Sequence, residues 1–163
     1  KEKYDKEGLI ARSGKIDELI LNQAFENFNL DSYYEKSLDV KDFDIFFAKG
    51  LSLEDGAATI TDFTAKLIAE GIRFISNKNQ SFKNKWLVCG GGRKNKYLLE
   101  RIKMNFERLH LDPIEKYKIN GDFVESQAFA FLAIRSSEGM FISFPSTTRC
   151  KQPSTGGVIV ENF

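Results

Sequence analysis

Apolar residues recur at helical spacing in three stretches of the chain, and each stretch predicts a helix. The first stretch covers residues 16–28. The second begins after Ser52 and Asp55, which resemble a capping box, and is expected to bury one face. That face comprises Ala57, Ile60, Thr64, Leu67, Ile68, Gly71 and Ile75. The third runs from Asn95 to Leu109, and Asp112-Pro113 is predicted to end it.

A fourth segment, residues 122–137, is apolar almost all round and therefore predicts a buried helix. Two strands are predicted at residues 82–89 and 116–119, followed by a turn at Asn120-Gly121. The strand that contains Leu87 and the strand that contains Lys118 are expected to pair in parallel. Residues 1–14 and 31–44 have the composition of loops, and residues 139–163 that of an irregular segment. This order of helices and strands predicts an α/β fold.

Three consecutive glycines, Gly90, Gly91 and Gly92, connect the first predicted strand to the third predicted helix. Glycine allows positive φ and a close approach by a ligand, and free N–H groups at such a turn suit phosphate. A tight turn that binds nothing is an equally good interpretation of these residues alone. The run lacks the spacing of a P-loop, and it does not form the Gly-x-Gly-x-x-Gly motif of dinucleotide-binding domains.

Charged residues near the turn have both functional and structural interpretations. Arg93 and Lys94 either meet phosphate charge or are solvated. Glu125 opens the apolar helix, where a carboxylate is able to act on a sugar hydroxyl. The structural alternative is a capping box, with Asp122 at the N-cap and Glu125 three residues later.

Composition excludes several classes of function. The chain has 163 residues, enough for one domain, and a net charge of +1 that gives no basis for a nucleic-acid or membrane partner. Cys89, Cys150 and His110 lack the spacing of a zinc site, and no nucleophile elbow accompanies His110. We expect reduced thiols and a cytoplasmic protein, with Cys89 packed as a small hydrophobe. Because the chain begins with Lys1, we expect it to be part of a longer protein.

Six ordered blocks together resemble the C-terminal half of the anhydro-N-acetylmuramic acid kinases, which are sugar kinases. The first contains Asp5, Gly8, Ala11 and Gly14, like the family's Asp-x-x-Gly-x-x-Ala-x-x-Gly run. The others lie at residues 36–44, 53–65, 88–95, 125–133 and 144–148. The chain departs from the family pattern at Glu35, Arg93, Lys94, Lys96 and Arg149. Arg149 stands where glycine is usual, which predicts a different loop, since arginine adopts positive φ at a cost.

The resemblance implies the second lobe of an actin-like (ribonuclease H-like) ATPase, with ATP and Mg²⁺ in a cleft closed by an N-terminal lobe. The family opens the 1,6-anhydro ring of anhydro-N-acetylmuramic acid and phosphorylates its 6-oxygen during peptidoglycan recycling. By this resemblance Gly90, Gly91, Gly92 and Asn95 contact the nucleotide, and Glu125 lies near the cleft. The family's catalytic aspartate is expected upstream of Tyr4, so no catalytic residue is assigned in this chain.

Two interpretations of the whole remain open. In the first, the chain is one lobe of a working kinase, inactive without the N-terminal lobe, and a homodimer is compatible with it. In the second, it is a catalytically inactive remnant or a nucleotide-binding module of the same fold.

Overall fold

The computed structural model describes residues 4–28, 39–78, 85–107 and 109–158. Within these ranges the chain combines helices with a two-stranded parallel sheet, which confirms the α/β class. The helices are α1 (Leu9–Ser13), α2 (Glu18–Asn27), α3 (Leu53–Lys78), α4 (Lys96–Asn105), α5 (Val124–Ser137) and α6 (Pro145–Thr148), and the strands are β1 (Lys85–Val88) and β2 (His110–Pro113). Of the predicted elements, most of the 31–44 loop and the start of the first strand lie outside the described residues.

β1 and β2 pair in parallel, and α4 connects them along the chain, which makes a β-α-β unit. β1 does pair with a parallel strand, as expected, but that strand is β2, with Leu87 opposite Asp112, and not the predicted strand at Lys118. The predicted strand at residues 116–119 is therefore wrong, because Ile114–Tyr117 forms a 3₁₀-helix. The predicted end of the third helix at Asp112-Pro113 is also wrong, because α4 ends at Asn105. Pro113 lies instead at the end of β2. It lacks an N–H group but fits the last position of an edge strand.

α3 is the centre of the packing, with α1, α2 and α4 around it. Its buried residues are Gly56, Ala58, Thr59, Asp62, Phe63, Ala65, Ala69 and Ile72. The face expected from sequence is therefore wrong, and Ile68 and Ile75 remain 39% and 40% exposed. Small residues explain the difference, because the neighbouring helices approach α3 most closely where its side chains are short.

Polar side chains accept backbone N–H groups at the starts of α2 and α3. Asp17 caps α2 by accepting the N–H of Ile20 at 3.0 Å. Ser52 accepts the N–H of Asp55 at 3.1 Å, which confirms half of the predicted capping box before α3. The Asp55 carboxylate does not close the box, because it accepts the N–H of Lys15 at 2.7 Å. This bond, followed by the Ser52 contact, lowers the pKa of Asp55.

Residues near the start of the chain are helical, which corrects the prediction of a loop over residues 1–14. A 3₁₀-helix spans Lys6–Gly8 and leads into α1. The Asp5 carboxylate accepts the N–H groups of Ile10 and Ala11 at 2.8 and 3.1 Å, and so satisfies donors that the first turn leaves free. Apolar periodicity does not detect a helix this short.

α5 and the segment after it also differ from expectation. α5 contains no buried residue, although its sequence predicted a buried helix. Phe129, Phe131 and Ile134 are each at least 60% exposed. The segment from residue 139 is not wholly irregular, since it forms α6 and a bridge between Ser143 and Ser154. Arg149 adopts the left-handed conformation, with φ of 55°, that glycine takes more cheaply.

Candidate functional site

The glycine turn lies at the carboxyl end of β1 and leads into α4 through a 3₁₀-helix, Gly91–Lys94. Gly90 has a φ of 71°, which favours glycine, and its N–H donates to the carbonyl of Gly121 at 3.0 Å. A Cβ built on Gly90, Gly91 or Gly92 would meet no atom of the described chain within 4 Å. The turn therefore presents its backbone to open space.

The first N–H groups of the 3₁₀-helix, those of Gly91 and Gly92, have no acceptor within that helix. They lie at the carboxyl end of a parallel strand, which is where ligands commonly bind in α/β sheets. The 115–122 segment, which follows β2, lies beside the turn, because parallel strands end at the same edge of a sheet. Two connecting segments therefore form the site.

Arg93 joins these two segments. Its Nε donates to Glu115 Oε1 at 2.7 Å, and its Nη1 donates to Asp122 Oδ1 at 2.8 Å. The Asp122 contact and then the Glu115 contact raise the pKa of Arg93 further above its ordinary value. Arg93 and then Lys94 hold the pKa of Asp122 well below its usual range. The interpretation of Arg93 as a solvated side chain is wrong, because that side chain is only 9% exposed.

Lys94 completes the charged cluster. Its Nζ lies 2.8 Å from Asp122 Oδ2, and its side chain is 61% exposed. Arg93 and Lys94 thus balance the charges of Glu115 and Asp122 beside the glycine turn. The pKa of Glu115 is lowered first by a hydrogen bond from its own backbone to the carboxylate and then by the hydrogen bond from Arg93. A charge-balanced cluster does not repel a phosphate placed at the turn.

Asn95 has a clear structural role at the end of the turn. Its side-chain Oδ1 accepts the N–H of Leu98 at 2.9 Å, so Asn95 is the N-cap of α4. Gly8 packs directly against this side chain, because a Cβ at Gly8 would lie 2.2 Å from Asn95 Oδ1. The start of the chain and the glycine turn are therefore joined through Asn95, and its contact with nucleotide stays a prediction.

Glu125 lies exposed in the first turn of α5. The capping-box interpretation is wrong, since the N-cap is Phe123 and no side chain caps the helix. Asp122, which was to supply that cap, binds Arg93 and Lys94 instead. None of the ion pairs found among the described residues includes Glu125. The acid is accessible, and its place in a substrate cleft stays a prediction.

Cys89 directly precedes the glycine turn, and His110 begins β2. Cys89 is exposed at the end of β1, which corrects the expectation that it packs as a small hydrophobe. His110 lies in β2 with its Nε2 3.1 Å from Asp112 Oδ2. In the described part of the chain, no group of three His, Cys, Asp or Glu side chains is placed to hold a metal ion.

None of the described helices is both long enough and apolar enough to cross a membrane.

Sequence reasoning missed the contributions of Glu115 and Gly121 to the site. Glu115 accepts both Arg93 Nε and the N–H of Gly121, the latter at 3.2 Å. The predicted turn at Asn120-Gly121 is confirmed by a bond from the Phe123 N–H to the Asn120 carbonyl at 3.1 Å. The sequence did predict this turn. Because it placed the second strand at residues 116–119, it did not predict that the turn lies beside the glycines.

Comparison with protein families decides the relationship of the chain. A model of the family described as anhydro-N-acetylmuramic acid kinase matches residues 1–162. The chain belongs to the anhydro-N-acetylmuramic acid kinase family. The resemblance drawn from the six sequence blocks is thereby confirmed.

Named members of the anhydro-N-acetylmuramic acid kinase family show how much of a relative the chain covers. The kinase of Pelagibacter ubique is 49% identical over 163 residues, which are 99% of this chain and 44% of that protein. The kinase of Rhizorhabdus wittichii is 41% identical over 95% of this chain and 41% of that protein. The kinase of Rhizobium rhizogenes is 38% identical over 96% of the chain and 41% of that protein. The chain thus spans less than half the length of these relatives.

Proposed function

We propose that the chain is one lobe of an ATP-dependent sugar kinase that opens the 1,6-anhydro ring of anhydro-N-acetylmuramic acid and phosphorylates its 6-oxygen. The observation that carries the proposal is an open glycine turn at the carboxyl end of β1 in a chain matched over residues 1–162 by this kinase family. The proposed lobe is the second one of an actin-like fold, and the proposed pathway is cytoplasmic peptidoglycan recycling.

In this proposal the glycine turn faces the phosphates of the nucleotide. Gly91 and Gly92 offer N–H groups, and the absence of side chains at Gly90, Gly91 and Gly92 lets the phosphates approach the backbone. ATP supplies the phosphoryl group, whose charge is stabilised by donors fixed in place before the reaction. The turn is therefore assigned to orienting the nucleotide and not to proton transfer.

The carboxylates near the turn do not fit a metal site of this chain. Glu115 and Asp122 are bound to Arg93 and Lys94, and no group of three suitable side chains occurs in the described part of the chain. We therefore assign no residue of the described chain to Mg²⁺. In the proposed enzyme, Mg²⁺ is held by the phosphates and by groups of the other lobe.

Glu125 is assigned to the substrate side of the cleft. It is exposed at the start of α5 and is not a helix cap, so no structural role competes with a contact to the sugar. The aspartate that activates water for attack at the anomeric carbon is assigned to the part of the protein before Tyr4. On this assignment Glu125 binds or orients the sugar through a hydroxyl group.

Exposed apolar surface on α5 supports a second lobe as partner. Phe129, Phe131 and Ile134 are 64%, 60% and 62% exposed, in a helix whose sequence is typical of a buried one. An apolar groove of about 510 Å³ also runs between α5 and the segment around Ile142 and Val158. We infer that the N-terminal lobe covers part of this surface, and that the chain alone, with half a cleft, has no kinase activity.

The activity is tested with the complete protein, ATP and anhydro-N-acetylmuramic acid. We expect a sugar product with phosphate on the 6-oxygen, identified by ³¹P NMR, and one oxygen from water at the anomeric carbon, identified by mass spectrometry in ¹⁸O water. Nucleotide binding without turnover would contradict the proposal and identify the alternative, an inactive nucleotide-binding module.

Glu125→Gln tests the assignment within α5, with Glu138→Gln as the control because Glu138 is also exposed, at the opposite end of that helix. We expect Glu125→Gln to lower kcat/KM for the sugar by about 10-fold or more at an unchanged melting temperature. The control is expected to retain wild-type kinetics. Wild-type kinetics in Glu125→Gln would contradict the assignment of Glu125 to the cleft.

A further inference from the structure

Arg93 is enclosed by the site although it lies on a short connecting segment. Its side chain is 9% exposed, and three oxygens from different parts of the chain accept its N–H groups. These are Glu115 Oε1 at 2.7 Å, Asp122 Oδ1 at 2.8 Å and the Gly90 carbonyl at 2.7 Å. The last acceptor belongs to the glycine turn itself, so the guanidinium is bound to both segments at once.

Gly121 makes room for this arrangement. A Cβ at Gly121 would lie 2.6 Å from Arg93 Nε and 2.9 Å from both Cδ and Cζ, so any larger residue displaces the guanidinium. The backbone of Gly121 is also tied to the site, because its carbonyl accepts the Gly90 N–H and its own N–H donates to Glu115. Arg93 and Gly121 therefore act as one unit.

We propose that Arg93 is a positioning residue that holds the glycine turn against the 115–122 segment and thereby orients the turn toward the nucleotide. The inference rests on the proposed function of the turn. It assigns Arg93 no contact with phosphate, because three of its five N–H groups donate to Glu115, Asp122 and Gly90 and its side chain is only 9% exposed. Loss of the arginine also leaves two carboxylates, Glu115 and Asp122, beside the turn with only Lys94 to balance them.

The test measures steady-state kinetics of the complete kinase in Arg93→Ala, Gly121→Ala and the double variant. Lys96→Ala is the matched control, since Lys96 follows the same turn and forms an ion pair of 2.7 Å with Glu7 between two exposed side chains. We expect Arg93→Ala to raise the KM for ATP by about 5-fold or more, with less than about a 2-fold change in the KM for the sugar. Lys96→Ala is expected to change neither KM.

The double variant separates positioning from general damage. Gly121→Ala is expected to raise the KM for ATP as Arg93→Ala does, because its Cβ displaces the guanidinium. In the Arg93→Ala background the same change is expected to add less than about a 2-fold effect, since the atoms it would meet are gone. The inference would be overturned if the two substitutions had independent effects, so that their increases in the KM for ATP multiply in the double variant. A wild-type KM for ATP in Arg93→Ala would also overturn it.

A second readout keeps this inference distinct from the proposed function. Hydrogen exchange of residues 88–95 in the complete protein is expected to be faster in Arg93→Ala than in wild type and unchanged in Lys96→Ala. If wild type lacks sugar kinase activity, the proposed function fails, and the exchange result still decides whether Arg93 holds the turn. Equal exchange in wild type and Arg93→Ala would overturn the role of Arg93 whatever the activity.

Discussion

Asp62 of α3 and Arg101 of α4 form an ion pair of 2.6 Å in which the aspartate side chain is 1% exposed. Asn105 Nδ2 donates to the same carboxylate oxygen at 3.1 Å. The pair joins the helix at the centre of the packing to the helix that follows the glycine turn. The apolar pattern of α3 did not predict that Asp62 is buried or that it contacts α4.

Replacing Asp62 tests how much this pair stabilises the packing of α4. Asp62→Ala leaves Arg101 and the Asn105 amide without their shared acceptor, and we expect a loss of about 2–3 kcal/mol in the free energy of unfolding. Glu100→Ala is the control, because Glu100 pairs with Arg12 at 2.7 Å between exposed side chains and should cost less than about 1 kcal/mol. Equal losses in chemical unfolding would show that burial of the pair contributes nothing.

Asn95 is predicted to combine its capping role with a nucleotide contact. Asn95→Ala should cost about 1 kcal/mol in the free energy of unfolding, because Leu98 loses its acceptor. Asn95→Asp should keep the cap and the stability but raise the KM for ATP about 3-fold or more, since it places a negative charge next to the turn. A wild-type KM for ATP in Asn95→Asp would show that Asn95 caps α4 but does not contact the nucleotide.

The charge cluster around Arg93 predicts a particular response to acid. The pKa of Asp122 is lowered in the folded state, so its contribution to stability is present above the unfolded value of about 3.9 and is lost as the pH falls toward the folded value. In Asp122→Asn the loss of stability between pH 5 and pH 3 should be shallower than in wild type. Parallel curves of unfolding free energy against pH would contradict the contribution of Asp122.

The sequence predicted the elements that depend on local chemistry. α2 and α3 have regular apolar spacing and were placed close to their observed bounds. The start of α4 was also predicted, but α4 ends at Asn105 and not after Leu109. The strand leading to the glycines was predicted for the same reason. These features depend on residues that are near one another along the chain.

Features that depend on distant partners were not predicted. β2 was missed because Asp112-Pro113 resembles a helix stop, whereas its pairing with β1 depends on residues more than 20 positions earlier. The prediction for the buried face of α3 was wrong because neighbouring helices pack where its side chains are short, and that face also holds Asp62, whose partner Arg101 lies on another helix. The role of Arg93 required knowing that Glu115 and Asp122 lie beside the turn.

The measurement that tests the central claim most directly is the KM for ATP of Gly91→Val in the complete protein. A Cβ at this position meets no atom of the described chain within 4 Å, so we expect Gly91→Val to leave the melting temperature unchanged. The matched control is Gly71→Val, because Gly71 also has open space around it but lies within α3. If the turn faces the nucleotide, Gly91→Val raises the KM for ATP by about 10-fold or more while the control leaves it unchanged. An unchanged KM for ATP in Gly91→Val would contradict the assignment of the glycine turn to the nucleotide.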